Sequence, residues 1–576
     1  MTAARLSSLP YELRLGVTGH RSIRDEPGVA NAVRRLLDRI ATTLTVHGSI
    51  PLSWTVVSPL ARGADRLVAR AVLERNDAHL DVLTPFSLDE YRKDFEKPAD
   101  LAEFEQLFAL RRQFQELDVH RRPGEGPGEP LRGNARDEGY VRVGESVVDT
   151  GEILIAIWNG RRAQGLGGTA DVVRYAVEHG RVVLWIHANQ PDQPPRVIRS
   201  AMPTGSEAYE VISDEFPLTA NRLSFGYCQQ AAYCADTSLS AAAFEASLSE
   251  ARAQLAAGST AAGLDPTAWM AAIEPILREY VRADLLAGLY QSRHANAVNW
   301  IQYLAGIGVT AAAAQAIFNG KYILIEVAAM IAVLVLWTAG RYAKWHQKWL
   351  HDRYLAERLR TSVFTTLTET EPAAETNHSE DNGAVPRDNP LPFYRGPRHW
   401  LTNVAEAMSH AAASSVPHLP FAELKAFLTD AWIEDQRQFH AHNAKKKHRS
   451  AARRHSLGLG LFTATLVLAL IHFLMENSFR SIDLPKWLRD VITLLTVVLP
   501  VCAGAIHATT AQLELERIAE RSRRMARVLG GIAHRMRYVN GPEDLRKTAI
   551  EAANRMKVET HEWWVLLSFQ DVRLQA

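Results

Sequence analysis

The sequence predicts an N-terminal α/β domain built on a doubly wound parallel sheet, followed by an all-α domain of four transmembrane helices. Three observations predict it. Apolar, β-rich runs alternate with helical patterns through the first 190 residues. Glycine turns follow the ends of three of those runs. Four later stretches are each long and apolar enough to cross a bilayer.

The strand-like runs are Leu13–Val17, Thr55–Val57, Leu80–Leu83, Ile153–Ile157 and Val182–Ile186. Helical patterns lie between them at Ala30–Leu44, Ala64–Arg75, Leu101–Leu117 and Thr169–His179. Such alternation predicts parallel strands covered on both faces, a Rossmann-like arrangement. The stretch Arg121–Gly133 is rich in glycine and proline and has no periodicity. It reads as a mobile excursion, either a cover over the sheet edge or a plain surface insertion.

The membrane runs are Val298–Phe318, Tyr322–Gly340, Leu457–Met475 and Val491–Ala508. Their one charged residue is Glu326. Buried helices of a soluble bundle keep a polar stripe, and these runs mostly lack one. Basic residues flank one end of each hairpin. Arg341, Lys344 and Lys348 follow the second run, Lys445–Lys447, Arg449, Arg453 and Arg454 precede the third, and Arg517, Arg521, Arg523 and Arg524 follow the fourth. The positive-inside rule then places both termini and the middle loop in the cytoplasm of a multi-pass protein of the inner (cell) membrane. The cluster before the third run is explained by this topology and by anionic lipid.

Charge and cysteine content exclude other classes. Lys plus Arg number 65 and Asp plus Glu 64, so no global basic field argues for a nucleic-acid partner. Cys228, Cys234 and Cys502 have no metal-ligand spacing, and no metal site is expected. The first thirty residues hold no apolar signal core.

The expected organisation is residues 1–190 for the sheet domain, 191–290 for a helical connector, and 291–365 for a first hairpin unit. A disordered, acidic, proline-bearing linker follows at 366–396, then a second hairpin unit at 397–576. The membrane half reads as duplicated, because Ala-Glu-Arg-x-Arg follows each hairpin. It runs Ala356, Glu357, Arg358, Arg360, and again Ala519, Glu520, Arg521, Arg523.

Three segments are candidates for ligand binding. The first is Thr18, Gly19, His20 and Arg21, where a glycine at a strand end permits close backbone approach and the next two side chains offer positive charge. The second is Ser58 with Arg62, Gly63, Ala64 and Asp65, where a helix begins and its amides can face an anion. Asp65 is either a favourable first-turn charge or an acceptor for ribose hydroxyls. The third is Gly165, Gly167, Gly168, Thr169 and Asp171, a glycine turn opening a helix directly after an apolar strand. No catalytic residue is assigned and no cofactor beyond a nucleotide-derived ligand is expected. If the chain is an enzyme, Asp171 and Asp65 are the candidates.

These segments together resemble the SLOG superfamily, which includes the Lonely Guy phosphoribohydrolases and the DNA-processing protein A family. Ser58, Arg62, Gly63 and Asp65 match the Ser-Gly-x-Ala-Arg-Gly-Ile-Asp segment of the latter, with Pro59 replacing a glycine. Gly165, Gly168 and Thr169 keep the frame of the Lonely Guy Gly-Gly-x-Gly-Thr-x-x-Glu segment. Its catalytic glutamate is Val172 here, and Asp171 lies one position early. Cleaving an N-glycosidic bond needs a carboxylate beside the ribose. The resemblance therefore implies a binder of a nucleotide or ADP-ribose-type signal, with a membrane-anchored nucleotide N-glycosidase and a non-sensing structural membrane protein as alternatives. The hairpins resemble SLATT domains. That resemblance implies an oligomeric effector of prokaryotic conflict systems that breaches the membrane when the sensor is occupied.

Overall fold

A computed structural model describes residues 9–45, 50–117, 134–161, 167–204, 208–216, 219–318, 320–368, 400–477, 485–512 and 514–568. The excursion at 121–133, the linker from 369 onward and Gly165 lie outside them. The chain divides into two compact units, Met1–Thr237 with Gly383–Val404, and Ser238–Asn382 with Ala405–Ala576.

The first unit is α/β. Its strands are β1 (Tyr11–Gly19), β2 (Leu52–Ser58), β3 (Ala78–Thr84), β4 (Gln113–Glu116), β5 (Ile153–Trp158), β6 (Val182–His187), β7 (Arg196–Thr204) and β8 (Ala208–Glu215). Its helices are α1 (Glu26–Thr45), α2 (Ala64–Leu73), α3 (Leu88–Arg92), α4 (Pro98–Phe108), α5 (Asn134–Thr150), α6 (Thr169–Glu178), α7 (Ala220–Leu223) and α8 (Phe225–Cys234). The strand order is β4-β3-β2-β1-β5-β6-β7-β8. The pairings from β4 to β6 are parallel, and β7 and β8 add an antiparallel edge. This is a doubly wound, Rossmann-like sheet. Gly16 and Gly19 show its two faces: a Cβ on Gly16 would meet Val147 of α5, and one on Gly19 would meet Ala64 of α2. Every residue of β5 is buried, as its unbroken apolar run requires.

The structure departs from the sequence reading in four places. The predicted helix to Leu117 stops at Phe108, and the polar segment Gln113–Glu116 pairs as edge strand β4. Helix α5 was not anticipated. Its apolar residues Val143, Val147 and Val148 nevertheless form one stripe buried in the core. The sheet also continues past residue 190, because the hairpin β7–β8 occupies part of the stretch read as a helical connector. An antiparallel edge hairpin with one wet face carries a weak apolar signal. Finally, the Ala-Glu-Arg-x-Arg segments fall at different depths of their helices, as described below.

The second unit is all-α. It contains α9 (Ala241–Ala261), α10 (Met270–Phe318), α11 (Ile323–Tyr342), α12 (Trp345–Thr366), α13 (Trp400–Ala413, which starts in the first unit), α14 (Phe421–Phe427), α15 (Asp435–Asn477), α16 (Lys486–Gln512), α17 (Leu515–Met536) and α18 (Pro542–Ser568). A π-helical segment, Leu428–Glu434, joins α14 to α15. Among the described residues, four helices are long and apolar enough to cross a membrane. They contain the four predicted runs, except that Tyr322 lies one residue before its helix. Little of their apolar windows is buried, and Leu324 is 75% and Leu466 65% exposed. That much contiguous apolar surface belongs in lipid rather than water. Away from these windows lies an aromatic core, in which Phe364 stacks on Trp432 at 5.1 Å and Trp269 lies 5.3 Å from Phe427.

The two hairpins share one plan. A long helix (α10, α15) enters the apolar run, a second apolar helix returns (α11, α16), and a left-handed residue ends it before a 22-residue helix (α12, α17). The left-handed residues are Lys344, φ 52°, and Glu514, φ 46°. The long helix packs along the 22-residue helix in both hairpins.

Candidate functional site

The carboxyl ends of β2, β1, β5 and β6 lie side by side, and the chain winds to opposite sides from β1 and from β5. Open α/β sheets leave a crevice at such a switch point. All three predicted segments open at this edge.

The β1 and β2 loops touch closely because two glycines allow it. A Cβ on Gly19 would lie 2.4 Å from Ala64 Cβ and 2.8 Å from the Ile157 carbonyl. Gly63 has φ 84°, and a Cβ there would come 2.5 Å from the His20 carbonyl and 2.6 Å from that of Arg21. The amide of Ala64 donates to His20 O at 3.1 Å. That first amide of α2 is therefore used within the protein and is not free for an anion.

His20 spans the switch point. Its amide donates to Ile157 O at 3.1 Å, and its ring Nε2 accepts from the Asn159 amide at 3.1 Å. An accepting Nε2 places the ring proton on Nδ1. His187 ends the neighbouring strand β6. Its pKa is lowered by burial and then by His20. Arg21 is exposed and lies over the Tyr140 ring at 5.2 Å. Thr18 is buried within β1, opposite Ala156 of β5.

The β2–α2 loop is braced from inside. Ser58 Oγ accepts from the Leu60 amide at 3.0 Å and donates to Asp65 Oδ2 at 3.3 Å. The same Oδ2 accepts from the Ala61 amide at 3.3 Å. Arg66 Nε donates to Leu60 O at 3.1 Å. Leu60, fully buried, takes φ 57°, so this loop holds a left-handed non-glycine residue three positions before Gly63. Asp65 is 5% exposed. Burial pushes its carboxyl up to about 7, against the opposing pull of the Ala61 amide, Ser58, Arg21 and Arg66. Its carboxylate lies within the loop. Arg62 faces outward, with an ion pair to Asp100 at 3.8 Å and half its side chain exposed.

The third segment rests on α5. Gly167 has φ 74°, and a Cβ would lie 2.8 Å from the Val141 amide. Gly168 is extended and caps α6 with its carbonyl, which accepts from Asp171 N at 2.9 Å and Val172 N at 3.2 Å. Thr169 opens the helix and is half-buried. Asp171 is half-exposed and pairs with Arg174 at 3.7 Å. Val172 turns the other way, into the core beside Val143, Val147 and Leu154. It packs so tightly that a Cβ on Gly144 would lie 2.6 Å from its Cγ2.

The fold thus brings Gly19, His20, Arg21, Gly63 and Ala64 together and places Gly168 and Thr169 at the same edge. Sequence reasoning missed Asn159, His187 and Tyr140. The pair Asn159-Gly160 directly after β5 was a legible signal, since Gly160 has φ 77°. His187 and Tyr140 carried none. No cluster of His, Cys, Asp and Glu able to hold a metal occurs among the described residues. No protein-family model matches the chain, and no curated protein matches it in sequence.

Proposed function

We propose that the chain is a membrane-bound sensor–effector, whose Rossmann-like unit binds a nucleotide or ADP-ribose-type signal. One observation carries this reading. The switch point between β1 and β5 is lined by glycine turns and by His20, Arg21 and Asn159, on the same chain as four exposed apolar helices. A phosphate would take the backbone of Gly19 and the start of α6, with Arg21 and Arg62 supplying charge. Occupancy would shift the four-helix unit between two states that differ in affinity for the signal, and so perturb the membrane. The basic flanks support cytoplasmic termini at the inner (cell) membrane. Assembly into a homo-oligomer and a role in prokaryotic antiphage defence belong to the same proposal, with the SLOG and SLATT resemblances as their support.

The site favours binding over cleavage. Val172 stands where a glycosidase of this pattern needs its carboxylate, and it faces the core. The hydrolase alternative draws on Asp65, which burial holds protonated up to about 7 as a general acid requires. That carboxyl, however, is engaged by Ser58 and Ala61.

The test uses the full chain in lipid nanodiscs. Nucleotides, cyclic nucleotides and ADP-ribose derivatives are screened by thermal shift, and each mixture is analysed by chromatography. The sensor reading expects a stabilising compound returned intact, an effect lost in Gly168→Asp, and dye release from liposomes only when that compound is present. Recovery of free base and ribose phosphate would establish the hydrolase instead. No shift with any compound would leave a structural membrane protein.

A further inference from the structure

The basic flanks of the membrane runs are not alike in the folded chain. On α12, Arg353 pairs with Asp284 at 2.8 Å and with Glu357, and Arg360 also pairs with Glu357. On α17, Arg517 pairs with Glu514 at 2.9 Å, Arg521 with Glu562 at 3.2 Å, and Arg523 with Glu520. These five cations are neutralised by their own protein, whereas Arg341, Lys344 and Arg524 in the same flanks have no ion-pair partner among the described residues. On α15 the unpaired cations form a cluster. Lys445, Lys446, Arg449, Arg453 and Arg454, with His442 at the far end, line a groove of about 570 Å³. Among the described residues none of the five cations has an ion-pair partner.

Their spacing explains the groove. Steps of three, four and seven residues keep side chains on one side of a helix. The other side of α15 is engaged: Ala444 and Ala451 are buried, and Asn443 donates to Ser522 of α17 at 3.0 Å. Like charges four residues apart repel, as Lys445 with Arg449 and Arg449 with Arg453 must. Counter-charge from outside would relieve that repulsion. Position identifies the source. Arg454 lies three residues before Leu457, where the exposed apolar run begins, and Leu457, Leu459 and Phe462 are each more than half exposed. Where that run enters lipid, Arg453 and Arg454 sit at the level of the headgroups, and the rest of the groove leads away from the bilayer over about 18 Å of helix.

We infer that this groove binds the phosphate headgroup of an anionic phospholipid. The arginines would hold phosphate oxygens in forked pairs and the lysines would add point charge. Each cation at such a surface strengthens association with an anionic leaflet about five-fold. The site is independent of any ligand at the sheet edge.

The experiment compares the full chain in nanodiscs of phosphatidylcholine alone and in nanodiscs that also contain phosphatidylglycerol, reading Tm. The triple variant Lys446→Gln/Arg449→Gln/Arg453→Gln is set against Arg517→Gln/Arg523→Gln/Arg527→Gln, which removes equal charge from α17. Phosphatidylglycerol is expected to raise Tm for the wild type and the α17 variant, and the rise is expected to vanish in the groove variant. The inference is overturned if the wild type shows no rise, if the groove variant keeps it, or if both variants lose it alike. A matching rise from sodium tripolyphosphate in phosphatidylcholine discs would also overturn it, since a soluble polyanion would then suffice. Should the triple variant fail to fold, Arg449→Gln alone serves. Native mass spectrometry is expected to show it retaining less phosphatidylglycerol than the wild type, and equal retention would sink the idea.

Discussion

The imidazole of His20 accepts a hydrogen bond from the Asn159 amide at 3.1 Å, tying the loop after β1 to the loop after β5 across the switch point of the sheet. The His20 carbonyl meanwhile receives the Ala64 amide, so one residue joins three strand-end loops. His20→Ala is expected to loosen this edge and weaken any ligand-induced thermal shift while leaving the sheet folded. Losing a hydrogen bond of this kind costs about 1 kcal/mol. An unchanged ligand response in the variant would remove His20 from the site.

Gly63→Ala tests the contact between the first two loops. The added methyl would enter the space of two carbonyl oxygens at a backbone angle that alanine resists. A loss of about 2 kcal/mol or more is expected in chemical denaturation, together with loss of ligand binding. Wild-type stability in Gly63→Ala would show that the loops separate freely.

Asp65 makes stability depend on pH. Its folded pKa, about 7, lies above the ordinary 3.8. The proton therefore favours the folded state. That contribution is complete below the unfolded pKa and is lost as pH rises through the folded one. Asp65→Asn is expected to flatten the decline between about pH 4 and about pH 7 relative to the wild type. Parallel curves for the two proteins over that window would refute the assignment.

Arg14 is buried between Glu12 at 2.9 Å and Asp81 at 2.7 Å. Burial acts to raise the Glu12 carboxyl, but Arg14 and Arg112 hold it down at about 2. This depressed carboxylate contributes stability that is present above its ordinary pKa of 4.5 and is lost as pH falls through about 2. Arg14→Met leaves the buried Asp81 and the half-buried Glu12 short of a cation. A cost of about 3–5 kcal/mol is expected near neutral pH. A smaller acid-side loss in the variant than in the wild type should accompany it, readable by urea titration across pH.

Val172→Glu restores the carboxylate of a phosphoribohydrolase pattern in sequence but buries it against α5. A destabilisation of about 3 kcal/mol and no gain of nucleotide cleavage are expected. Measurable release of free base by a folded Val172→Glu chain would show that the side chain reaches the crevice after all.

Much of the architecture was legible from residue order. Five strands announced themselves because a parallel sheet buried on both faces needs unbroken apolar runs, and β5 is such a run throughout. The membrane helices were legible because length and lack of charge are local properties. Strand β4 and the hairpin β7–β8 were not, since edge strands keep polar residues on a wet face. At the site, the glycine turns were visible, whereas His187 and Tyr140 joined the edge only through strand order and the packing of α5.

The repeated Ala-Glu-Arg-x-Arg shows where residue order stops. Glu357 and Glu520 look equivalent in the sequence. In the fold Ala356 lies twelve residues past Lys344, but Ala519 lies five past Glu514. Glu357 is consequently half-buried between Arg353 and Arg360, and Glu520 stands at the surface beside Arg523. The parallel sheet, the four apolar runs and the glycine turns follow from residue order alone, because burial period, hydrophobic length and backbone freedom are written in neighbouring residues. It took the fold to engage the Ala64 amide, to turn Val172 into the core and to leave the α15 cations without an ion-pair partner. Those properties depend on residues far away in the chain, brought within a few ångströms by packing.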